Sequence, residues 1–205
     1  MLRDFCFNGN AHCDGLRQTA TTLGLDIEDA LQQLATADLV HTAPDGSIRV
    51  AYPFSALPTG HTVQLTGYSQ AAAMCAIDAL GIPLMTAHDG VVVSTDPTSG
   101  APIRIERRGD EWTWQPPTCV IVIGHTDCRG ILADTVCGAI TFHTDCETAQ
   151  CHLDKHPEIT GRIADQAEAI AFADCTFGQL AVGLDQTLIG VQSSRNCHTE
   201  SGLVD

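Results

Sequence analysis

The spacing of apolar and polar residues predicts helices in the first part of the chain. Apolar residues at helical spacing predict helices over residues 16–23 and 27–37, and Asp26 is placed to cap the second. Two short apolar runs on either side of the Pro-Asp-Gly sequence at residues 44–46 predict a hairpin. Because helix, turn, helix and hairpin in this order are typical of a winged helix, we expect a small winged-helix-like module over residues 1–62.

The rest of the chain is richer in strand patterns. Residues 53–60 contain Pro and Gly and predict a linker, and residues 159–173 carry an apolar stripe that predicts a helix. Apolar runs predict strands at residues 90–94, 103–106, 112–114, 119–123 and 136–142. We therefore expect an α+β fold, in which a domain of mixed or antiparallel β-sheet packed with helices spans residues 63–183. The tail at residues 184–205 is predicted to be weakly structured.

A nearly uncharged segment at residues 71–85 lies near the start of this second domain. Its Ala, Met, Leu and Ile content predicts a helix that Ser69 caps and that Gly81 and Pro83 end. The helix is too short to span a membrane and is apolar on every side, so we expect it to be buried in the core.

One thiol and one carboxyl interrupt this apolar segment. Cys75 and Asp78 are three residues apart, so on a helix their side chains share a face. A buried carboxyl must be paired with a donor or must hold its proton at a raised pKa. Each residue alone has an ordinary interpretation, because a cysteine packs as a small apolar residue and Asp78 could face solvent or cap a loop. The pair favours a chemical role.

Charge and composition exclude several classes of protein. With 25 acidic and 10 basic residues, the chain has a formal net charge of −15, which disfavours binding to nucleic acid or to an anionic membrane. The predicted recognition helix carries Glu28 and Asp29 and no Lys or Arg, so we interpret the winged-helix-like module as structural. We expect a cytoplasmic protein, because no signal peptide or membrane span is visible. Since that compartment keeps thiols reduced, ten cysteines indicate metal or thiolate chemistry.

Three motifs, in order, resemble the bacterial organomercurial lyases (alkylmercury lyases). They are the Cys75-x-x-Asp78 segment with Pro83, the Ser-Gly-Ala-Pro turn at residues 99–102, and Cys137 at the head of a predicted strand. The resemblance covers residues 16–180, and the C-x-x-D segment is its most specific part.

The resemblance implies an active centre formed by Cys75, Cys137 and Asp78. The chain departs from the family pattern at two positions: Asp96 stands where the family has a further cysteine, and Gly138 stands where a second cysteine often follows the counterpart of Cys137. The resemblance also implies an enzyme that needs no cofactor and binds mercury as substrate and product. External thiols act as co-reactants, and a mercuric reductase is the expected acceptor of Hg(II).

The same residue types suit protonolysis of a carbon–mercury bond. Hg(II) is a soft cation that prefers thiolates. A thiolate at Cys75 or Cys137 would displace the thiol carrying R–Hg⁺, and the other cysteine would then ligate the metal. Asp78 would take a proton from a cysteine and pass it to the departing carbon.

Two other functions stay open. A thiol-based carrier of Hg(II), Cu(I) or Zn(II) would use Cys146 and Cys151, and a metal-responsive regulator is disfavoured by the acidic winged helix. No C-x-x-C pair supports a structural metal site. The remaining cysteines and histidines are interpreted as core, loop, surface or tail residues, with a secondary metal role open for some of them: Cys119, Cys128, Cys175, Cys197, His125, His152, His156 and His198.

Overall fold

The structure is a computed structural model that describes residues 1–126, 135–180 and 183–184. Cys128, Cys197, His198 and the predicted tail after residue 184 lie outside the described residues. Within the described part, six α-helices and two antiparallel sheets form the α+β fold that the sequence predicts.

The first fifty residues contain three helices and a hairpin. The helices are α1 (Leu2–Asn8), α2 (Cys13–Thr22) and α3 (Ile27–Thr36). The Asp26 side chain caps α3 by accepting the backbone N–H groups of Glu28 and Asp29 at 2.9 and 3.0 Å. The predicted order of α2, α3 and hairpin is confirmed, whereas α1 was not predicted. The assignment as a winged helix stays a prediction.

The larger sheet runs through both halves of the chain. Its strands are β1 (Ala11–His12), β2 (Val40–Thr42), β3 (Ser47–Ala51), β4 (Phe54–Ser55), β5 (His61–Leu65), β6 (Gln70–Ala73), β7 (Gly90–Thr95), β8 (Pro102–Arg108) and β9 (Glu111–Gln115). They are ordered β1-β3-β4-β6-β5-β7-β8-β9, and β2 pairs with β3. The segment at residues 53–60, predicted to be a linker, contains strand β4, which pairs with both β3 and β6. The prediction is therefore wrong for Phe54 and Ser55. The division of the chain at residue 62 stays a prediction, and this sheet crosses it.

The central segment differs from its prediction as one continuous helix. Its first residues form β6, which pairs with β4 and β5, and the helix α4 begins only at Ala76 and ends at Thr86. Ser69 does not cap it, because its hydroxyl donates to the carbonyl oxygen of Phe7. Gly81 and Pro83 lie inside the helix rather than ending it. Strand pairing therefore overrides the helix propensity of the three alanines at residues 71–73.

Helix α4 is buried, as predicted, and its end is fixed by an arginine. Every residue of α4 except Leu84 is buried. Nη1 of Arg107, on β8, donates to the carbonyl oxygens of Pro83 and His88, each at 2.9 Å. These bonds link β8 to the carboxyl end of α4, where the carbonyl oxygen of Pro83 also accepts the backbone N–H of His88 at 3.2 Å. The apolar helix is thus held against the sheet.

The smaller sheet has three strands. The central strand β10 (Val120–Thr126) pairs with β11 (Thr141–His143) and with β12 (Ile159–Ala164). Helices α5 (Cys146–Lys155) and α6 (Gln166–Phe177) each begin at a capping box, built by Asp145 with Thr148 and by Asp165 with Glu168. Helix α5 was not predicted.

Two predictions in this region are wrong. The strand predicted at residues 136–142 is a 3₁₀ turn at Cys137–Ala139 followed by β11. The helix predicted at residues 159–173 starts instead at Gln166, because residues 159–164 pair with β10. Helix α6 packs on α4, where Phe177 lies against Gly81. No helix within the described residues is both long and apolar enough to cross a membrane.

Candidate active site

Cys75 is the N-cap residue of α4. Its backbone is extended, with φ −151° and ψ −179°, and its Sγ accepts the backbone N–H of Asp78 at 3.4 Å. Asp78 is therefore the third residue of the helix. The capping bond, and not a shared helix face, brings the side chain of Cys75 to Asp78. Strand β6 leads directly into this cap, so the larger sheet fixes the position of Cys75.

Cys137 reaches the same point from the other half of the chain. It lies on the 3₁₀ turn before β11, and its Sγ is 3.7 Å from Oδ2 of Asp78. The backbone N–H of Ala76 donates to the carbonyl oxygen of Ile140 at 3.2 Å. This bond ties the start of α4 to the segment that carries Cys137.

The structure brings together the three residues predicted from the sequence. One ligand atom from each of Cys75, Asp78 and Cys137 lies within 4.8 Å of the others, and all three residues are buried. Among the described residues, this is the group of three or more Cys, His, Asp or Glu side chains close enough to share a metal ion. Two sulphurs in such a group favour a soft metal ion over a hard one.

Burial sets the proton affinity of these groups. Asp78 is 4% exposed, and burial raises the pKa of its carboxyl to about 7, although the bonds to Cys75 and Cys137 favour the ionised form. Burial and the neighbouring Cys137 and Asp78 raise the pKa of the Cys75 thiol well above its ordinary value, while the backbone N–H of Asp78 acts in the opposite direction. A carboxyl with a pKa near neutrality can both accept and donate a proton at physiological pH.

Tyr52 is a site residue that the sequence analysis missed. Its Oη lies 3.5 Å from Sγ of Cys137, and the side chain is half-buried. In the sequence it is only the last residue of a predicted strand, 85 positions from Cys137. No local motif marks it, so only the fold connects it to the site.

Asp96, at the position where the resemblance leads us to expect a cysteine, organises a loop outside the cluster of three. Its Oδ1 accepts the backbone N–H groups of Thr98 and Ser99, and its Oδ2 accepts the N–H and hydroxyl of Thr144. Burial alone would raise the pKa of Asp96, but the bonds from Thr144 and Thr98 outweigh it and lower the pKa. Asp96 is thus a buried, ionised carboxylate that joins β7 to the start of α5.

The other cysteines and histidines of the described residues lie apart from the site. Cys119 is buried in the core as expected, whereas Cys175 is exposed on α6. Cys146 is exposed and Cys151 is half-buried on α5, and neither belongs to a close ligand group. His125 is exposed on β10, His156 pairs with Glu158 on the surface, and the His152 ring lies 4.6 Å from that of His156.

The fold and the site together define an α+β protein with a buried centre of two thiols and one carboxyl. The family model of alkylmercury lyase matches residues 54–178, which is more than half of the 205 residues. The chain therefore belongs to the alkylmercury lyase family.

Known relatives agree with this assignment. The chain is 27% identical to the alkylmercury lyases of Bacillus cereus and Clostridium butyricum over 143 residues, which is 69% of this chain and 65% of each relative. The match to the Staphylococcus epidermidis alkylmercury lyase is 27% identical over 140 residues. The aligned region thus spans about 65% of the length of the curated relatives it matches.

A solved structure shares the fold. The crystal structure of the mercury-bound form of MerB2 superposes with a TM-score of 0.72 at 22% sequence identity. The superposition covers 88% of this chain and 85% of that one. The α+β architecture described above is therefore the architecture of that protein.

Proposed function

We propose that this protein is an organomercurial lyase that cleaves the carbon–mercury bond by protonolysis. The observation that carries the proposal is the buried cluster in which Cys75, Asp78 and Cys137 lie within 4.8 Å of one another. The substrate class is a mercury ion bonded to one organic group and one thiolate. Soft thiolates prefer soft Hg(II) over the hard cations that oxygen sites bind.

The first step is thiol exchange. One cysteine of the pair forms a sulphur–mercury bond, the bond from mercury to the external thiolate breaks, and the cysteine proton leaves on that thiol. The second cysteine then adds to mercury, which increases the electron density on the carbon. Asp78 accepts the proton of this second cysteine, because its Oδ2 is 3.7 Å from Sγ of Cys137 and one of its carboxylate oxygens lies within 4.8 Å of Sγ of Cys75.

The second step is proton transfer to carbon. Asp78 delivers its proton to the carbon as the carbon–mercury bond breaks, which yields a hydrocarbon and Hg(II) held by both thiolates. A pKa of about 7 suits both steps, because at neutral pH the carboxyl is present in comparable amounts as the ionised base and as the protonated acid. External thiols then remove Hg(II), and a mercuric reductase is the expected acceptor. The reaction requires reduced thiols, which the cytoplasm maintains.

Hydrocarbon release tests the proposal. Reduced protein is incubated anaerobically with phenylmercury or methylmercury and excess thiol, and benzene or methane is measured. We expect multiple turnovers for the wild type and none for Cys75→Ser or Cys137→Ser. The Asp78→Asn variant should still bind mercury, but its rate of hydrocarbon release should fall at least about 100-fold. This is the rate enhancement that a general acid–base group typically contributes.

Exposed cysteines provide matched controls. Cys146→Ser and Cys175→Ser remove thiols that are exposed on α5 and α6, and both should keep wild-type turnover. Stoichiometric mercury uptake without hydrocarbon release would contradict the lyase proposal. If that uptake were insensitive to Asp78→Asn and lost with Cys146 and Cys151, the thiol-based carrier would be the better function.

A further inference from the structure

Three histidine rings lie next to one another where α5 meets the smaller sheet, apart from the reactive cluster. His143 is the last residue of β11, His152 lies on α5, and His156 directly follows that helix. The ring centres of His143 and His152 are 5.0 Å apart, and those of His152 and His156 are 4.6 Å apart. His143 and His152 are 0% and 8% exposed, whereas the side chain of His156 is 46% exposed. The three rings therefore lead from the interior to the surface.

The middle ring, that of His152, has a buried nitrogen without a hydrogen-bond partner. Its Nε2 is shielded from solvent, and no group within the described residues bonds to it. Buried polar atoms are nearly always hydrogen-bonded, so an unpaired one calls for an explanation. Burial, and after it the charge of His156, lowers the pKa of His152. The ring is therefore neutral at pH 7, which is the form that binds metal ions.

His156 is oriented in the way that is usual for a metal ligand. Its Nδ1 lies 2.9 Å from Oε1 of Glu158, which leaves Nε2 as the free nitrogen of an exposed ring. A histidine that binds a metal commonly donates its other N–H to a carboxylate, which fixes the tautomer and the orientation of the ring. The charges of Asp96 and Glu158 also favour positive charge at His152. A cation that approached these two rings would therefore be attracted.

The spacing of His152 and His156 places both rings on one face of α5. The backbone N–H of His156 donates to the carbonyl oxygen of His152 at 3.1 Å, so one helical turn separates them. Two histidines four residues apart on a helix can bind one metal ion together. With metal–nitrogen bonds of about 2.1 Å, the two ring centres would lie roughly 4.5 Å apart at a right angle and roughly 5.2 Å apart at a tetrahedral angle. The observed separation of 4.6 Å falls within this range.

We propose that His152 and His156 bind a borderline divalent cation such as Ni²⁺, Cu²⁺ or Zn²⁺, and that Glu158 positions His156 for this role. Imidazole nitrogen is a preferred ligand of these ions. The two histidines fill two coordination positions, and water fills the others. This site is separate from the reactive cluster, and it does not depend on the proposed lyase function.

Calorimetric titration with Ni²⁺ tests the proposed site. The reduced full-length protein is titrated as the wild type and as Cys75→Ser/Cys137→Ser, because the double variant cannot bind Ni²⁺ through the reactive thiols. We expect one equivalent of Ni²⁺ to bind to the double variant. In this background, Glu158→Gln should weaken the affinity roughly 10-fold, as the loss of a carboxylate partner typically does. His156→Gln should weaken it further, because it removes a ligand.

The chain offers matched controls for thiols and for histidines. Cys146→Ser, Cys151→Ser and His125→Gln each remove a potential ligand from outside the pair and should leave the affinity unchanged. His156 and Glu158 are both exposed, so their substitution should preserve the fold, which thermal unfolding without Ni²⁺ verifies. Saturating Ni²⁺ should raise the unfolding midpoint of the double variant, but it should have little effect after His156→Gln.

Each outcome decides for or against the site. Weaker binding in both His156→Gln and Glu158→Gln, with normal binding in the controls, would support it. Absent binding, or an affinity that neither substitution changes, would overturn it. Loss of binding in Cys146→Ser or Cys151→Ser would assign the ion to the thiols of α5 and would also overturn it. Hydrocarbon release is measured without Ni²⁺, so a failure of the lyase proposal would leave this test unaffected.

Discussion

Asp78 and Asp96 are both buried, yet their surroundings shift their pKa values in opposite directions. Asp96 accepts four hydrogen bonds from three residues and its pKa is lowered. Asp78 lies among apolar residues at the start of α4, and burial raises its pKa to about 7. Asp96 can thus stay ionised as a structural group, whereas Asp78 can exchange protons near neutrality.

The raised pKa of Asp78 predicts a pH-dependent cost to stability. The folded state holds the Asp78 proton up to about pH 7, whereas the unfolded chain releases it near pH 4. The contribution of Asp78 to stability is therefore greatest below about pH 4 and falls as the pH rises towards 7. Relative to the wild type, Asp78→Asn should gain up to about 4 kcal/mol between these pH values. Urea unfolding at a series of pH values measures this difference.

An exposed aspartate controls for the general effect of pH on the fold. Asp110 lies on the surface at the turn between β8 and β9. For Asp110→Asn, the plot of the free energy of unfolding against pH should therefore run parallel to that of the wild type. A parallel curve for Asp78→Asn as well would show that Asp78 titrates as an ordinary carboxyl.

Helices α4 and α6 pack so closely that their contact leaves no room for a side chain at residue 81. A Cβ atom added at Gly81 would lie 2.2 Å from Cδ2 of Phe177. Replacing a glycine inside a helix by alanine is normally favourable by about 1 kcal/mol, but here the overlap dominates. Gly81→Ala should therefore lower the free energy of unfolding by about 1–3 kcal/mol, measured by urea denaturation.

Gly15 on α2 supplies the matched comparison. A Cβ atom at Gly15 would meet nothing within 4 Å, so Gly15→Ala should leave the stability unchanged or raise it. The double variant Gly81→Ala/Phe177→Leu should be less destabilised than the sum of its two single variants, because the smaller side chain relieves the overlap. Strict additivity would show that the two residues do not contact each other in solution.

Local patterns predicted the elements whose caps, turn residues or alternating side chains are visible within a few residues of sequence. The cap at Asp26, the hairpin at residues 44–46 and the strands β7 to β10 all follow from short-range rules. The alternating strands of the larger sheet bury one face, so period-two spacing marks them. Their distant pairing partners agree with these local patterns, so the prediction of each element held.

Elements whose state depends on distant pairing were missed. Residues 71–73 are alanines, which favour a helix in isolation, but pairing with β4 and β5 makes them a strand. Residues 159–164 have a helix-compatible pattern, but pairing with β10 makes them a strand. In both cases the competing interaction comes from residues far away in sequence.

The same distinction applies to the site. The C-x-x-D spacing identified Cys75 and Asp78 as a pair because it is local, although the cap rather than a shared helix face brings them together. The link to Cys137 came from the family resemblance, and the contact with Tyr52 could not be predicted at all. Three separate segments of the chain meet at the cluster, and spacing rules describe only one of them.

The charge of the whole molecule predicts how substrates approach. The chain carries 25 acidic and 10 basic residues, so anionic molecules are repelled at low ionic strength. If the lyase proposal holds, a methylmercury adduct of an anionic thiol such as glutathione should react several-fold faster at about 0.15 M salt than at about 0.01 M salt. The adduct of the neutral 2-mercaptoethanol should show little change. Steady-state rates for the two adducts at both salt concentrations measure this effect, and equal salt dependence for both would contradict it.

Cys75 occupies the N-cap of α4, a position at which the stability of the helix depends on the side chain. Serine, threonine, aspartate and asparagine are the preferred side chains at a helix N-cap, and cysteine is not among them. Selection for a stable fold alone would therefore favour serine at this position. A thiol at this position therefore costs the helix part of its cap, which is the trade of stability for activity that the lyase proposal implies. Loss of turnover in Cys75→Ser would then report the missing sulphur, because the helix would keep its cap.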